Sequence, residues 1–239
     1  MSMAAHGFGV DAAHHVVSND VVFLRHGDQD YLARVRQPAV RQSDRRVAVL
    51  DVHGGAWCDN DRRFGKRYNE MLAAHGAVVV AIDFRCGATG PHPSASTDVA
   101  AAARWVRANA VELGVDPALL VATGSSSGGH LAWLSGLGPT NITPASAGRL
   151  SVSDDWMRSD EGDDSFLGVA ALWPPVDPLA RYRYACGLDT DHGRRLVSNT
   201  ENYFGTEYAM AEASIATVVG GGYATRLPST LLVVPENDK

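Results

Sequence analysis

Five short runs of apolar residues constrain the fold of this chain more than any other feature of its sequence. Each run is about one strand long, and its apolar residues follow one another instead of alternating with polar ones. Continuous apolar runs of this length are typical of strands that are buried on both faces, as in a parallel sheet. The runs lie within residues 45–55, 77–85, 118–124, 166–175 and 229–238.

Segments that read as helices separate these runs. Residues 63–76 and 94–114 each end at a glycine, which favours a helix stop, and we expect the second helix to have its N-cap at Ser96 or Thr97. Such strand–helix alternation predicts an α/β fold, a doubly wound and mostly parallel sheet with right-handed crossovers. Ahead of it, residues 20–38 predict an N-terminal antiparallel hairpin.

We predict a single α/β domain over residues 1–239, with two irregular additions. The segment 138–164 is rich in Pro, Ser, Asp and Gly and shows little periodicity, so we expect a functional or mobile loop there. Residues 178–222 contain amphipathic pieces, and we expect them to form a cap-like helical insertion over the carboxyl edge of the sheet.

Composition excludes several classes of partner. The net charge of −6 and the pI near 5.8 leave no electrostatic footprint for nucleic acid or for an anionic membrane, and no apolar run is long enough to span a bilayer. The three cysteines are widely spaced, without zinc-ligand spacing, so we expect neither a metal nor a disulfide scaffold. The first residues show no secretory signal pattern, and we predict a cytoplasmic protein.

The strongest chemical signal is the sequence GSSSG, residues 124–128, with Ser126 at its centre. It follows the strand pattern LLVAT and opens a helix, which is the setting that a nucleophile elbow needs. The flanking glycines let the backbone bend, and the helix N-terminus favours negative charge beside the serine. The alternative is a tight serine-rich turn without chemistry.

A second glycine turn, HGGAW at residues 53–57, follows the strand pattern VAVLDV. Acyl transfer builds negative charge on a carbonyl oxygen, and backbone N–H groups of Gly54 and Gly55 could bind that charge, with the N–H of Ser127 as a third donor. We expect His53 to hold the loop by hydrogen bonds and not to act as the base. The alternative is a glycine turn that only follows a buried strand.

Together these residues resemble the motifs of a known enzyme family. HGGAW at 53–57, DFR at 83–85, GSSSGGH at 124–130 and the stretch 227–238 resemble an α/β-hydrolase of the hormone-sensitive-lipase-like esterase group, including its kynurenine-formamidase-like members. The resemblance runs from about Val21 to the end of the chain. It implies a serine hydrolase that cleaves a small carboxylic ester through an acyl-enzyme without metal or cofactor, with an aryl-formamide as the nearest alternative substrate.

In this family the catalytic order is serine, acid, histidine. Ser126 matches the nucleophile and Asp238 matches the acid, although residues 235–237 replace the usual glycine-containing turn before it. The base is missing, because the last histidine, His192, precedes Asp238, and His130 belongs beside the elbow. We therefore expect a C-terminally truncated sequence that lacks the catalytic histidine and the last strand and helix. The rival interpretation is a catalytically inactive hydrolase-fold binding protein.

Aromatic residues could line the acyl pocket. The stretch 173–182 resembles a family stretch near this pocket, and Trp173, Trp57 and Tyr203 are candidates to line it. The alternative for each is an aromatic residue of the core. The expected partner is a small acyl ester or amide, with no nucleic acid or membrane partner. A homodimer paired through a sheet edge is a further candidate assembly.

Overall fold

The computed structural model describes residues 14–40, 43, 45–139, 142 and 162–235. Seven strands form one sheet in the order β1-β2-β4-β3-β5-β6-β7. The strands are β1 (Val16–His26), β2 (Gln29–Pro38), β3 (Arg46–Val52), β4 (Val78–Ile82), β5 (Val115–Ser125), β6 (Gly168–Leu172) and β7 (Ser229–Val233).

The strand directions confirm the predicted fold class. β1 and β2 form the expected antiparallel hairpin, with Gly27 in the turn at φ 56°, and β2 runs antiparallel to β4. From β4 across to β7 every neighbouring pair is parallel. The carboxyl ends of the central strands are therefore aligned at one edge, where parallel α/β sheets carry their sites.

Eight α-helices and one 3₁₀ turn accompany the sheet in the described part of the chain. They are α1 (Lys66–Ala74), the 3₁₀ turn Gly87–Thr89, α2 (Ser94–Ala108), α3 (Ala110–Leu113), α4 (Ser127–Leu137), α5 (Pro178–Cys186), α6 (Asp191–Phe204), α7 (Glu207–Glu212) and α8 (Ile215–Gly220).

The two faces of the sheet have different cores. Val49 and Val79 pack with Ala73 of α1 on one face, in a small cluster. Leu50 of β3 belongs to the larger core on the other face, which takes in buried residues of α2 and α4. Because side chains alternate along a strand, one buried strand such as β3 supplies both cores, as its continuous apolar run predicted.

The start of α2 differs from the prediction. The helix begins at Ser94 and has no side-chain cap, and Thr97 instead donates its hydroxyl to the carbonyl of Ser94 at 2.7 Å. In its second turn, the buried carboxylate of Asp98 accepts from the guanidinium and the backbone N–H of Arg85, which ties the helix to the loop after β4. At the other end, α3 stops at the predicted glycine, Gly114, in the left-handed region at φ 63°.

Helices α5 to α8 occupy the stretch where an insertion was predicted. Tyr203, Phe204 and Met210 of this stretch are buried within the large core, so its helices share the hydrophobic core of the sheet. Its role as a cap stays a prediction. The predicted loop 138–164 falls mostly outside the described residues.

Strand β7 forms one edge of the described sheet and is exposed along its length. Leu231 and Leu232 are 61% and 45% exposed, whereas strands of a parallel sheet are usually covered on both faces. The expected truncation stays a prediction. Among the residues described, no helix combines the length and apolar character that crossing a membrane would need.

Candidate active site

Ser126 stands at the sharp turn between β5 and α4. Its backbone has φ 54° and ψ −129°, a conformation that residues other than glycine rarely adopt. The surrounding structure must hold the residue in this strained state. Its N–H donates to the carbonyl of Leu172 at 2.8 Å, and its own carbonyl accepts from the N–H of His130 at 3.1 Å. The side chain is only half-buried, and its hydroxyl has no hydrogen-bond partner among the described residues. This is the geometry that the elbow motif predicted.

The elbow glycines are required by close contacts. A Cβ at Gly128 would lie 2.0 Å from the carbonyl oxygen of Val52, and one at Gly124 would lie 2.5 Å from the carbonyl oxygen of Gly128. Neither contact leaves room for a methyl group. The elbow is therefore wedged against the carboxyl end of β3, directly beside the turn that begins at His53.

The glycine turn 53–57 lies against the elbow. A Cβ added at Gly54 would come 3.3 Å from the Cβ of Ser126. Gly55 has φ 133°, and its carbonyl accepts the N–H groups of Cys58 and Asp59 at 3.1 and 3.0 Å, which folds the chain into a tight turn. The structure thus brings the two glycines and the predicted nucleophile together.

The three expected backbone donors are unused within the described structure. No described acceptor takes the N–H of Gly54, Gly55 or Ser127. The N–H of Ser127 also lies in the first turn of α4, where the helix dipole favours negative charge. These donors can therefore bind an anionic oxygen beside Ser126.

The two histidines nearest the site have structural partners. His53 is buried, stacks on Phe84 with ring centroids 4.2 Å apart, and donates from Nδ1 to the carbonyl of Gly54 at 3.0 Å. His130 is fully buried, donates from Nε2 to the carbonyl of Ala213 at 2.8 Å and accepts at Nδ1 from the indole of Trp57 at 3.3 Å. Burial lowers the pKa of His130 to about 4 and also lowers the pKa of His53. Neither can serve Ser126 as a base.

Asp238, the predicted acid of the triad, lies outside the described residues. The strand before it, β7, pairs Val233 with Leu172 of β6, and Leu172 pairs with Ser125. The end of β7 therefore lies two strands from the elbow, about 10 Å away. His192, on α6, lines the same cavity as Ser126 but forms no hydrogen bond with it.

A cavity of about 850 Å³ opens above Ser126. Its apolar lining includes Phe64, Trp173, Pro174, Pro175, Val176, Tyr184 and Leu196, and its polar lining includes Asn60, Asp177, Arg181, His192 and Arg195. Volume and mixed lining suit a small organic substrate.

Of the three aromatic residues expected at the pocket, only Trp173 lines this cavity. Trp173 follows β6 at φ 40° and is 44% exposed. Trp57 and Tyr203 are 1% and 0% exposed and stack on each other with centroids 6.2 Å apart. Their expected place in the pocket is wrong, because helix α6 packs Tyr203 against the indole and buries both rings in the core.

Sequence reasoning missed three polar residues of the cavity wall. Asn60 donates its side-chain amide to the carbonyl of Gly54 at 2.9 Å. Arg195 pairs with Asp59 at 2.7 Å, and the guanidinium of Arg181 lies 5.5 Å from the centroid of a Trp57 ring. No periodicity or motif signals these contacts, since most of them join segments that are far apart in the sequence.

Cys58 sits next to the glycine turn but is not a competing nucleophile. Its thiol contacts the carbonyl of Asn199 at 3.1 Å, and burial raises the thiol pKa to about 12. A thiol in this state carries almost no thiolate near neutral pH. Among the described residues, no cluster of three or more His, Cys, Asp or Glu side chains could hold a metal ion.

Comparison with known proteins places these features in a family. The sequence model of the family BD-FAE matches residues 34–153, half of the 239-residue chain. The chain belongs to the BD-FAE family. The matched stretch contains both the glycine turn at 53–57 and the elbow at 124–128 of this BD-FAE chain.

The BD-FAE chain is similar to curated enzymes over part of their length. Lipase 2 of Moraxella sp. is 28% identical over 228 residues, which is 87% of this chain and 52% of that protein. Carboxylesterase NlhH of Mycobacterium tuberculosis is 35% identical over 109 residues, which is 44% of this chain and 33% of NlhH. The chain therefore spans about a third to a half of the length of these relatives.

Among solved structures, the chain is similar to the thermophilic esterase Est2 of Thermogutta terrifontis in its propionate-bound form. The two are 27% identical with a TM-score of 0.60, over 90% of this chain and 70% of Est2. These likenesses confirm the predicted resemblance of this BD-FAE chain to α/β-hydrolase esterases.

Proposed function

We propose that this protein is a serine carboxylesterase that cleaves small carboxylic esters through an acyl-enzyme on Ser126. The observation that carries the proposal is the placement of the strained Ser126 beside Gly54 and Gly55, whose N–H groups have no acceptor in the described structure. A nucleophile next to fixed donors is what acyl transfer requires. The names of Lipase 2 and carboxylesterase NlhH support the same activity.

In the proposed mechanism, Oγ of Ser126 attacks the ester carbonyl carbon and the π electron pair moves onto the carbonyl oxygen. The N–H groups of Gly54, Gly55 and Ser127 bind this oxyanion. Collapse of the tetrahedral intermediate expels the alcohol and leaves the acyl group on Oγ. Water then attacks the acyl-enzyme in the same way and releases the acid.

Proton transfer in this mechanism requires a histidine at Ser126, which Asp238 would orient. His53 and His130 are committed to structural hydrogen bonds, and His192 does not bond to Ser126. The base that we propose is therefore a histidine that the described residues do not supply. Without it the serine hydroxyl is a weak nucleophile near neutral pH.

Small acyl esters are the proposed substrates. The cavity of about 850 Å³ has aromatic and proline walls, and the related Est2 binds propionate. The exposed ring of Trp173, with Phe64 and Tyr184, would also suit an aryl group, so an aryl-formamide is the second candidate substrate.

We also infer a cytoplasmic location and a homodimer. The three cysteines are free, as is usual in a reducing compartment. A homodimer would pair through a sheet edge, where unpaired backbone N–H and C=O groups are available to a second copy. Sedimentation equilibrium would test the dimer, and cell fractionation would test the location.

A fluorophosphonate probe tests the proposed nucleophile, applied to the longest natural form of the protein. We expect labelling of the wild type and of Ser135→Ala, a serine on α4 that donates to the carbonyl of Ser96, and none of Ser126→Ala. Turnover of short and long p-nitrophenyl esters and of N-formylkynurenine would then rank the substrates. An unlabelled wild type without turnover would favour the rival, a catalytically inactive binding protein.

A further inference from the structure

Asn60 adopts a left-handed backbone conformation, which costs energy for any residue that has a Cβ atom. Its φ is 77°, one of five positive φ values at non-glycine residues of the described chain. Asparagine tolerates this region better than most residues, but glycine tolerates it best. An asparagine here therefore points to a use for its side chain.

The side chain of Asn60 holds one peptide group of the glycine turn. Its Nδ2 donates to the carbonyl of Gly54 at 2.9 Å, and Nδ1 of His53 donates to the same oxygen at 3.0 Å. Peptide groups are planar and trans, so the N–H of Gly55 points away from the Gly54 carbonyl. Two donors on that carbonyl thus set the direction of the Gly55 N–H.

The peptide needs such a hold because Gly55 itself offers little resistance to rotation. Gly55 has φ 133°, a region open to glycine alone, and glycine has no Cβ to limit its backbone. A Cβ at this position would lie 2.9 Å from Nδ2 of Asn60, which shows how closely the amide covers the turn. His53 reaches the carbonyl from inside the core, and Asn60 reaches it from the cavity wall.

We propose that Asn60 is a positioning residue, which orients the Gly55 N–H toward the oxygen that becomes negative during acyl transfer. This inference rests on the proposed function of Ser126. Asn60 acts through the Gly54–Gly55 peptide and does not itself touch the substrate carbonyl. Because the oxyanion forms only in the transition state, loss of the orientation lowers kcat more than it changes KM.

Substitution by glycine tests the proposal without adding strain. Asn60→Gly removes the donor while glycine accepts φ 77°. Relief of the left-handed strain offsets part of the lost hydrogen bond and of the added chain entropy, so we expect the melting temperature to change little. Loss of a complete oxyanion donor costs about 100- to 1,000-fold in kcat, so a donor left less ordered should cost roughly 10-fold, with KM little changed. Asn60→Asp, which places an acceptor against the carbonyl, should lose at least as much.

Asn109→Gly is the matched control. Its amide also donates to a backbone carbonyl, that of Trp105 at 2.8 Å, in the turn after α2 and away from the cavity. We expect this variant to change stability and leave kcat unchanged. Equal kcat values for Asn60→Gly and the wild type would overturn the proposal.

An activity-independent measurement separates this inference from the proposed function. In ¹⁵N NMR spectra we expect exchange broadening of the Gly55 amide in Asn60→Gly and a sharp resonance in the wild type. An unchanged Gly55 resonance would overturn the positioning role, whatever the activity. If the wild type shows no Ser126-dependent turnover, the proposed function fails, and the Gly55 resonance alone decides whether Asn60 orients this peptide.

Discussion

His130 ties three separate parts of the chain together, and replacing it should destabilise the fold. It lies in α4, accepts a hydrogen bond from the indole of Trp57 and donates to the carbonyl of Ala213. His130 and Ala213 are completely buried, and Trp57 is 1% exposed, so water does not replace lost partners easily. Leucine has a similar volume and no polar atoms, so His130→Leu removes both hydrogen bonds with little change in packing.

The expected loss of stability comes from two buried polar groups that lose their hydrogen-bond partner in His130→Leu. Each buried donor or acceptor left without a partner costs about 1–3 kcal/mol, so the indole N–H and the carbonyl together cost about 2–6 kcal/mol. The added apolar surface of leucine offsets about 1–2 kcal/mol of this loss. We therefore expect the free energy of unfolding of His130→Leu to fall by a net 1–4 kcal/mol, on the order of a quarter of a typical domain's stability.

Urea unfolding at pH 7, followed by circular dichroism, measures this loss without any enzymatic assay. His130→Gln is the rescue variant, because its amide oxygen can accept from Trp57 and its NH₂ group can donate to Ala213. His192→Ala is the control, since that histidine is exposed on α6 and should change stability by less than about 0.5 kcal/mol.

Comparing the free energies of unfolding of His130→Leu and His130→Gln tests whether the hydrogen bonds of His130 stabilise the fold. We expect the glutamine variant to recover at least half of the loss. Equal stability of the two variants would show that the hydrogen bonds of His130 contribute nothing, and a leucine variant as stable as the wild type would refute the burial argument itself.

Three further predictions concern the glycine turn, pH and a buried anchor. Gly54→Ala should lower kcat about 100-fold, because its Cβ would meet a main-chain carbonyl of the elbow at 2.7 Å, while Gly220→Ala, with open space around it, should keep full activity in the same ester assay. Burial lowers the pKa of His130 to about 4 and the pKa of His92 to about 3. Below pH 6.5 the unfolded chain therefore binds more protons than the folded chain, and the free energy of unfolding should fall by about 1.4 kcal/mol per pH unit for each histidine. Urea midpoints that stay flat from pH 6.5 to 5 would contradict this. Asp98→Ala should lose about 3–5 kcal/mol in urea unfolding, because it leaves a guanidinium without its buried partner, and a loss below about 1 kcal/mol would argue against that anchor.

Three aspartates with shifted pKa values also affect how stability depends on pH. Arginine partners lower the pKa of Asp20 and bring that of Asp61 to about 2, so their stabilisation is lost only in more acidic solution. Burial raises the pKa of Asp51, which contacts Tyr68 and Asn69, and protonation of Asp51 at low pH opposes the effect of the histidines. The measured slope therefore tests whether the histidines dominate above pH 5.

Much of the fold was predictable because its signals are local. The continuous apolar runs located the five parallel strands, and the hairpin β1–β2 followed from two strand patterns around a glycine turn. The elbow at Ser126 was also readable, since the contacts that demand glycine at positions 124 and 128 arise within one strand–turn–helix unit and the strand beside it. Steric limits of this kind restrict which residue types can occupy neighbouring positions in the sequence.

Packing between distant segments was not predictable in the same way. Trp57 follows the glycine turn and was expected in the pocket, but α6 brings Tyr203 against it and buries both rings. The N-cap of α2 was expected at Ser96 or Thr97, but the helix begins at Ser94, and Asp98 of its second turn pairs with Arg85 of a preceding loop. In both cases the partner comes from another element, and no local pattern encodes which element that will be.

The sequence by itself determined the strand–helix alternation, the elbow and the glycine turn, because backbone sterics and apolar runs act over a few neighbouring residues. Only the tertiary structure decided which donors hold the Gly54 carbonyl and which histidines are bound in the core. His130, for example, meets its partners when α4 packs against Trp57 of the glycine turn and against Ala213 at the end of α7. The physical reason is that hydrogen bonds and burial depend on distances in space, which a short stretch of sequence does not specify.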